Sequence, residues 1–125
     1  MLLAQKIAAS ASAAYRPRFG VGLTDWRVLA ALGAEPWIVP ARVAQACGLD
    51  KAAVSRSLGA LRAAGLVEGD GGRELALTAA GLALHDRLVE AAGERGRRLL
   101  AGFSGEERAL FAAFLRRMGE AADGM

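Results

Sequence analysis

The residue types best suited to chemistry gather between positions 51 and 62. At 3.6 residues per turn, Lys51, Ala52, Ser55, Arg56, Gly59 and Arg62 share one side of a helix, and Val54, Leu58 and Leu61 share the other. No acid occurs from Lys51 to Ala64. An ordinary solvated face mixes in Glu; this one carries only cations and a hydroxyl. Its ammonium and guanidinium groups can pair with phosphates or guanine edges, and Ser55 can donate to a phosphate. Ala52 and Gly59 would let the helix approach a partner closely. Arg42 on a preceding helix and Arg73 beside a hairpin tip extend the expected contact set. The chemistry predicted is therefore recognition of double-stranded DNA through Arg42, Lys51, Ala52, Ser55, Arg56, Arg62 and Arg73.

Other chemistry finds little material. The single His and the single Cys stand 38 positions apart, with no nucleophile–base pair and no metal-ligand spacing. Residues 69–72 read as a hairpin and not a phosphate loop, because no Lys-Ser/Thr opening a helix follows. No enzyme activity, cofactor or metal is expected. Cys47, just before Gly48, reads as a small buried hydrophobe, with no His or second Cys near it to lower its pKa. One cysteine excludes an intrachain disulfide and fits a reducing compartment. No apolar run nears the roughly 20 residues that span a bilayer, and the N-terminus lacks a basic n-region. A cytoplasmic protein with no membrane partner is expected.

Positioning that cationic face requires a particular order of elements, and residues 39–78 supply it. Pro40 suits the first turn of a short helix, whose expected buried face is Val43, Ala46 and Cys47. Gly48 makes a turn, Asp50 caps the cationic helix and Gly65 stops it. A hairpin over 66–77 turns at Gly71-Gly72, with Leu75 and Leu77 inward and Glu74 and Ala76 outward. This is a helix-turn-helix followed by a wing.

The flanking segments read as helices too. Leu3, Ile7, Ala11 and Ala14 line a helix over 2–16 that Pro17 is predicted to end. A second helix over 23–33 has Thr24 as its expected N-cap, Gly33 as its stop, and Trp26, Leu29, Ala30 and Gly33 on one face. The prolines at 36 and 40 leave residues 37–39 as a short strand able to pair with the wing. Downstream, Thr78 caps a helix reaching about Phe103, with a broken stripe of Leu84, Leu88, Ala91, Ala92, Arg95 and Leu99. Gly81, Gly93 and Gly96 within it mark places where another helix comes close. Ser104 and Glu107 form a capping box opening a last helix with Leu110, Phe111, Phe114, Leu115 and Met118 on one stripe.

The predicted fold class is mainly α with a small β-hairpin: a winged helix-turn-helix with N- and C-terminal dimerisation helices. One domain spans 1–125, with residues 23–78 as the DNA-binding part and residues 1–22 and 79–125 as the dimerisation helices. The apolar excess at both ends implies a homodimer. A two-fold axis would set the two reading helices about 34 Å apart, one DNA turn. Composition agrees. The 125 residues are 54% hydrophobic and carry a net charge of +3. Residues 1–65 hold eight basic groups against three acidic, and residues 66–125 hold eight against ten. The basic excess lies with the reading helix.

Leu23-Thr24-Asp25-Trp26-Arg27-Val28-Leu29, Val43-Ala44, Val54-Ser55-Arg56 with Leu61, Gly65-Leu66-Val67 and Leu77-Thr78-Ala79-Ala80-Gly81, in this order, resemble the multiple-antibiotic-resistance regulator (MarR) family. The resemblance implies a homodimeric winged helix-turn-helix repressor of a palindromic operator. It puts Ser55 and Arg56 on recognition-helix positions that touch DNA. It also implies that a small phenolic or anionic compound can release the DNA. Tyr15 (a phenol), Arg16 (an anion partner), Trp26 (a stacking wall) and His85 would line its pocket. The wing and the N-terminal helix are shorter than the family pattern, which weakens the expectation that the wing reads DNA. The alternative reading is a winged-helix module that binds protein and has lost specific DNA reading.

Overall fold

Helix formation begins where the apolar spacing is 3.6 and the caps are local, and the structure, a computed structural model, has six helices and two strands among its described residues. It describes residues 2–70 and 73–125, so the expected Gly71-Gly72 tip lies outside the described residues. The chain clusters into two compact units, one running to Val89 and the other comprising Glu90–Met125.

In the first unit, α1 (Leu3–Phe19) runs through Pro17 rather than ending there. Proline forfeits one intrahelical hydrogen bond, but here it sits in the last turn. Phe19 closes that turn by packing on Tyr15, ring centroids 6.2 Å apart, with the Arg18 and Arg87 guanidinium groups over its ring. Of the expected stripe Leu3, Ile7 and Ala14 are exposed; Ala11 is buried as expected and is joined by Tyr15.

α2 (Leu23–Ala34) starts at Gly22, not Thr24; the Asp25 carboxylate accepts the Gly22 N–H at 3.4 Å. Gly33 does not stop it, because the helix gains contact there: the His85 ring lies directly over Gly33. This helix is the hub of the unit, touching α1, α3 (Pro40–Cys47), α4 (Lys51–Ala63) and β2 (Leu75–Leu77). Its buried face is accordingly broader than a single stripe and consists of Val28, Leu29 and Leu32, with Trp26 half-buried.

α3 begins with Pro40 at its first turn and buries Val43 and Ala44; Ala46 is exposed and Cys47 half-buried, against expectation. So short a helix is oriented by α2 and α4, which both pack on it. Gly48 turns the chain at φ 65, a left-handed geometry that suits glycine. The Asp50 carboxylate then accepts the Ala53 N–H at 2.7 Å and opens α4. Past α4, β1 (Val67–Gly69) pairs antiparallel with β2, Glu68 opposite Ala76. The Arg73 N–H donates to the Asp70 carbonyl at 2.8 Å. The expected strand at 37–39 is a single bridge, Ile38 to Leu75, with hydrogen bonds of 3.1 and 2.9 Å. Leu75 and Ala76 are both buried, so β2 does not alternate as predicted: its second face is covered as well.

α5 (Ala79–Leu99) opens on Thr78, whose hydroxyl accepts the Gly81 N–H at 3.0 Å and donates to the Gly65 carbonyl at 2.7 Å. It ends at Leu99, short of Phe103; the Arg108 guanidinium ties off the next carbonyl, Leu100, at 2.8 and 3.2 Å. α6 (Gly105–Asp123) carries the predicted capping box, with Ser104 Oγ accepting from Glu107 N–H at 3.1 Å and Glu107 accepting from Ser104 N–H at 2.8 Å. No residue of α6 is buried, and Leu110, Phe111, Phe114, Leu115 and Met118 are each about half or more exposed.

Candidate nucleic-acid interface

The cationic face depends on how firmly the opposite face of α4 is held. Val54, Leu58 and Leu61 are buried, and each such side chain contributes roughly 1.5–3 kcal/mol relative to exposure. Ser57 is the fourth buried residue and the one buried polar side chain among the described residues. Its hydroxyl donates to Asp25 Oδ1 at 2.6 Å, while Oδ2 of the same carboxylate accepts the Gly22 N–H. The next amide, Leu23 N–H, donates to Ser12 Oγ of α1 at 3.1 Å. A short polar chain thus joins α1, the start of α2 and the inner side of α4. It fixes the rotation of α4 about its axis more sharply than apolar contact can, since hydrogen bonds are directional. The one-dimensional pattern hides it: Ser57 lies on the inward side, and its partner is 32 residues away.

With the inner face locked, Lys51, Ala52, Ser55, Arg56, Gly59 and Arg62 all stand exposed on the other side, as expected. Ser55, Gly59 and Arg62 border a groove of about 220 Å³, closed by Leu58, by Pro40 of α3 and by Leu75 of β2. Arg42, on α3, is already engaged: it forms a two-pronged ion pair with Glu35 at 3.0 and 3.2 Å and also reaches Gln45 at 3.2 Å. The pair is exposed, so it is worth at most about 1 kcal/mol and can be exchanged for a phosphate. Arg73 stands exposed at the wing and lines a separate concavity of about 550 Å³ with Trp37, Val39, Gly69, Asp70 and Glu74. Trp37 is half exposed and takes φ 61, a conformation uncommon outside glycine. Its signal in the sequence is an indole set between two prolines in a connection too short to bury it.

Cys47 donates its thiol to the Arg27 carbonyl at 3.3 Å. Burial pushes its pKa up, and the Arg27 charge only partly opposes that, so the reactive thiolate is suppressed.

The MarR family model matches residues 19–74, from the end of α1 into the wing, stopping just before β2. A MarR/EmrR family transcriptional regulator from Acinetobacter sp. ADP1 shares 29% identity, with 98% of this chain and 91% of that chain covered and a TM-score of 0.86. The chain is thus similar to the MarR family, in the family-model match over residues 19–74 and in fold. PcaV, a transcriptional regulator of Streptomyces coelicolor solved in complex with its natural ligand, is 28% identical over 96% of this chain and 91% of its own, with a TM-score of 0.78. A Mycobacterium tuberculosis MarR family protein solved in complex with DNA is 25% identical over 95% and 98%, with a TM-score of 0.79. Among curated proteins none matches the chain. The fold is thus that of a MarR-family DNA-binding transcription regulator. Among the described residues no helix is long and apolar enough to cross a membrane.

The four residues expected to meet a MarR-type effector divide into pairs. Trp26 and His85 are in contact, ring centroids 5.8 Å apart, and His85 Nδ1 lies 3.1 Å from Asp86 Oδ1. Tyr15 is buried against Phe19, while Arg16 is exposed and lays its guanidinium against Gly22.

Proposed function

We propose that this chain is a MarR-type homodimeric repressor that binds a palindromic operator. Residues 23–78 form its DNA-binding part, and residues 1–22 and 79–125 supply the dimerisation helices. The observation that carries this reading is the acid-free outer face of α4, exposed along its length and held in place by a fully buried inner face. Lys51, Ser55 and Arg62 meet phosphates, Arg56 reaches into the major groove, and Arg42 leaves Glu35 for a phosphate. The wing contributes less. Glu68, Asp70 and Glu74 outnumber Arg73 there, so its charge opposes entry into a polyanion's groove. The relative from M. tuberculosis solved with DNA supports the assignment.

The decisive variant is Arg56→Ala. Titrated against the intergenic DNA beside its own gene, it should lose about 1–3 kcal/mol of binding and relax specificity at one position per half-site. Equal affinity of variant and parent would remove Arg56 from the reading face. If the parent itself binds no such DNA while capturing a protein partner, the protein-interaction reading takes over.

Derepression by a small phenolic or anionic ligand is part of the same proposal. Arg16 is the anion partner, Trp26 and His85 the stacking wall, and Tyr15 holds α1 in place beside them. The ligand-bound relative PcaV supports it. A thermal-shift screen of aromatic carboxylates should yield a stabilising compound whose effect Arg16→Ala abolishes; a hit indifferent to that change would place the ligand elsewhere.

A further inference from the structure

Gly59 lies in the middle of α4, where glycine weakens a helix, yet a Cβ there would meet no atom within 4 Å. Nothing among the described residues needs that side chain to be missing. The space it leaves opens into the groove lined by Ser55, Arg62 and Pro40 and closed underneath by the buried Leu58 and Leu75. The lining has two characters: a cation and a hydroxyl on α4, and an apolar base formed where α3, α4 and β2 meet.

We propose that this groove seats one sugar–phosphate unit of a DNA strand, a proposal that rests on the reading of α4 as the recognition helix. The deoxyribose lies against the partly exposed ring of Pro40. The phosphate takes the Ser55 hydroxyl and the Arg62 guanidinium, and bare Gly59 lets the strand down between them. Charge complementarity selects the occupant, since the neighbouring cations Lys51 and Arg56 extend the same acid-free surface. Leu58, Leu75 and Pro40 carry no side-chain donor or acceptor with which to tell one base from another. The contact therefore adds affinity and sets the depth and register of α4 in the groove without reading sequence.

The test exploits the opposite effects that filling this space has on folding and on binding. Gly59→Ala and Gly59→Leu are made in the full-length protein. A duplex selected by the parent from a randomised pool serves as one probe, and an unrelated duplex of equal length as the other. Both variants should melt a few degrees higher than the parent, by about 2–5 °C. Both should bind DNA more weakly, Ala by a few-fold and Leu by roughly tenfold or more, as added bulk forces the strand away. The loss should be the same factor on both duplexes. Unchanged affinity of the Leu variant overturns the proposal. So does a loss confined to the selected duplex, which would make the groove a base reader, and so does a fall in melting temperature, which would mean the space is already used. A parent that selects no duplex refutes the recognition-helix reading itself, and the groove's role with it.

Discussion

Gly81 shows how closely one residue can be committed. A Cβ there would strike the Leu66 carbonyl, and the same carbonyl accepts the Thr78 N–H at 3.1 Å. Both partners are backbone, so neither can swing away. Gly81→Ala should destabilise the fold by at least about 2 kcal/mol, read as a lower midpoint in urea unfolding; a midpoint equal to the parent's would show that the chain relaxes there. The sequence marks this glycine as a place of close approach, but the partner is the loop leaving α4 and not another helix. A local pattern can show that a side chain is missing. It cannot show which of the distant segments fills the room. The same limit hides the Asp25–Ser57 bond, whose two ends lie on different elements.

At the scale of elements, caps were the most legible feature because donor and acceptor are three residues apart. Asp50, Thr78 and Ser104 all open helices as their types predict. Ends were less legible. Pro17 fails to stop α1 because an aromatic pair four residues apart draws the last turn on, and Gly33 fails to stop α2 because His85 needs the gap. Buried faces misled wherever an element is covered on more than one side, as with Ala76 of β2 and Ala44 of α3. The capping box of α6 has a titratable member. The Ser104 N–H, and then its hydroxyl, hold the Glu107 carboxyl below the usual range. A carboxyl with a depressed folded pKa contributes stability above its unfolded pKa and loses it as pH falls through the folded value. The amide NMR signals of Ser104 and Glu107 should therefore shift together only below the ordinary glutamate range, and Glu107→Gln should abolish the transition. A shared midpoint at the ordinary glutamate pKa would contradict the cap's electrostatics.

For the whole molecule the informative quantity is what a single chain leaves uncovered. The α6 stripe was readable as apolar from its spacing, but only the structure shows that none of its residues is buried. Phe111, Phe114 and Leu115 exposed together exceed what isolated surface hydrophobes explain, and they suit the dimerisation proposed for this segment. Phe114→Glu should weaken self-association roughly a hundredfold or more, seen by sedimentation equilibrium as monomer at concentrations where the parent is dimeric. An unshifted monomer–dimer equilibrium would remove α6 from the interface. The reading helix should suffer indirectly, because one half-site contact is then lost per binding event. Charge placement was legible without any structure, since the surplus of basic groups is set by composition along the chain.

The two tryptophans differ in setting as well as place. Trp37 stands half in water beside Arg73 and Asp70 at the wing, and Trp26 rests on the His85 ring in the helical part of the same unit. The protein thus carries two native fluorophores with separate assignments. Emission from Trp37 should be red-shifted by solvent and respond to anything laid against the wing, while emission from Trp26 should follow the adjacent, tilted imidazole. Replacing either one by Phe isolates the other's spectrum, so events at the wing and events near the effector residues can be followed in unlabelled protein by colour alone.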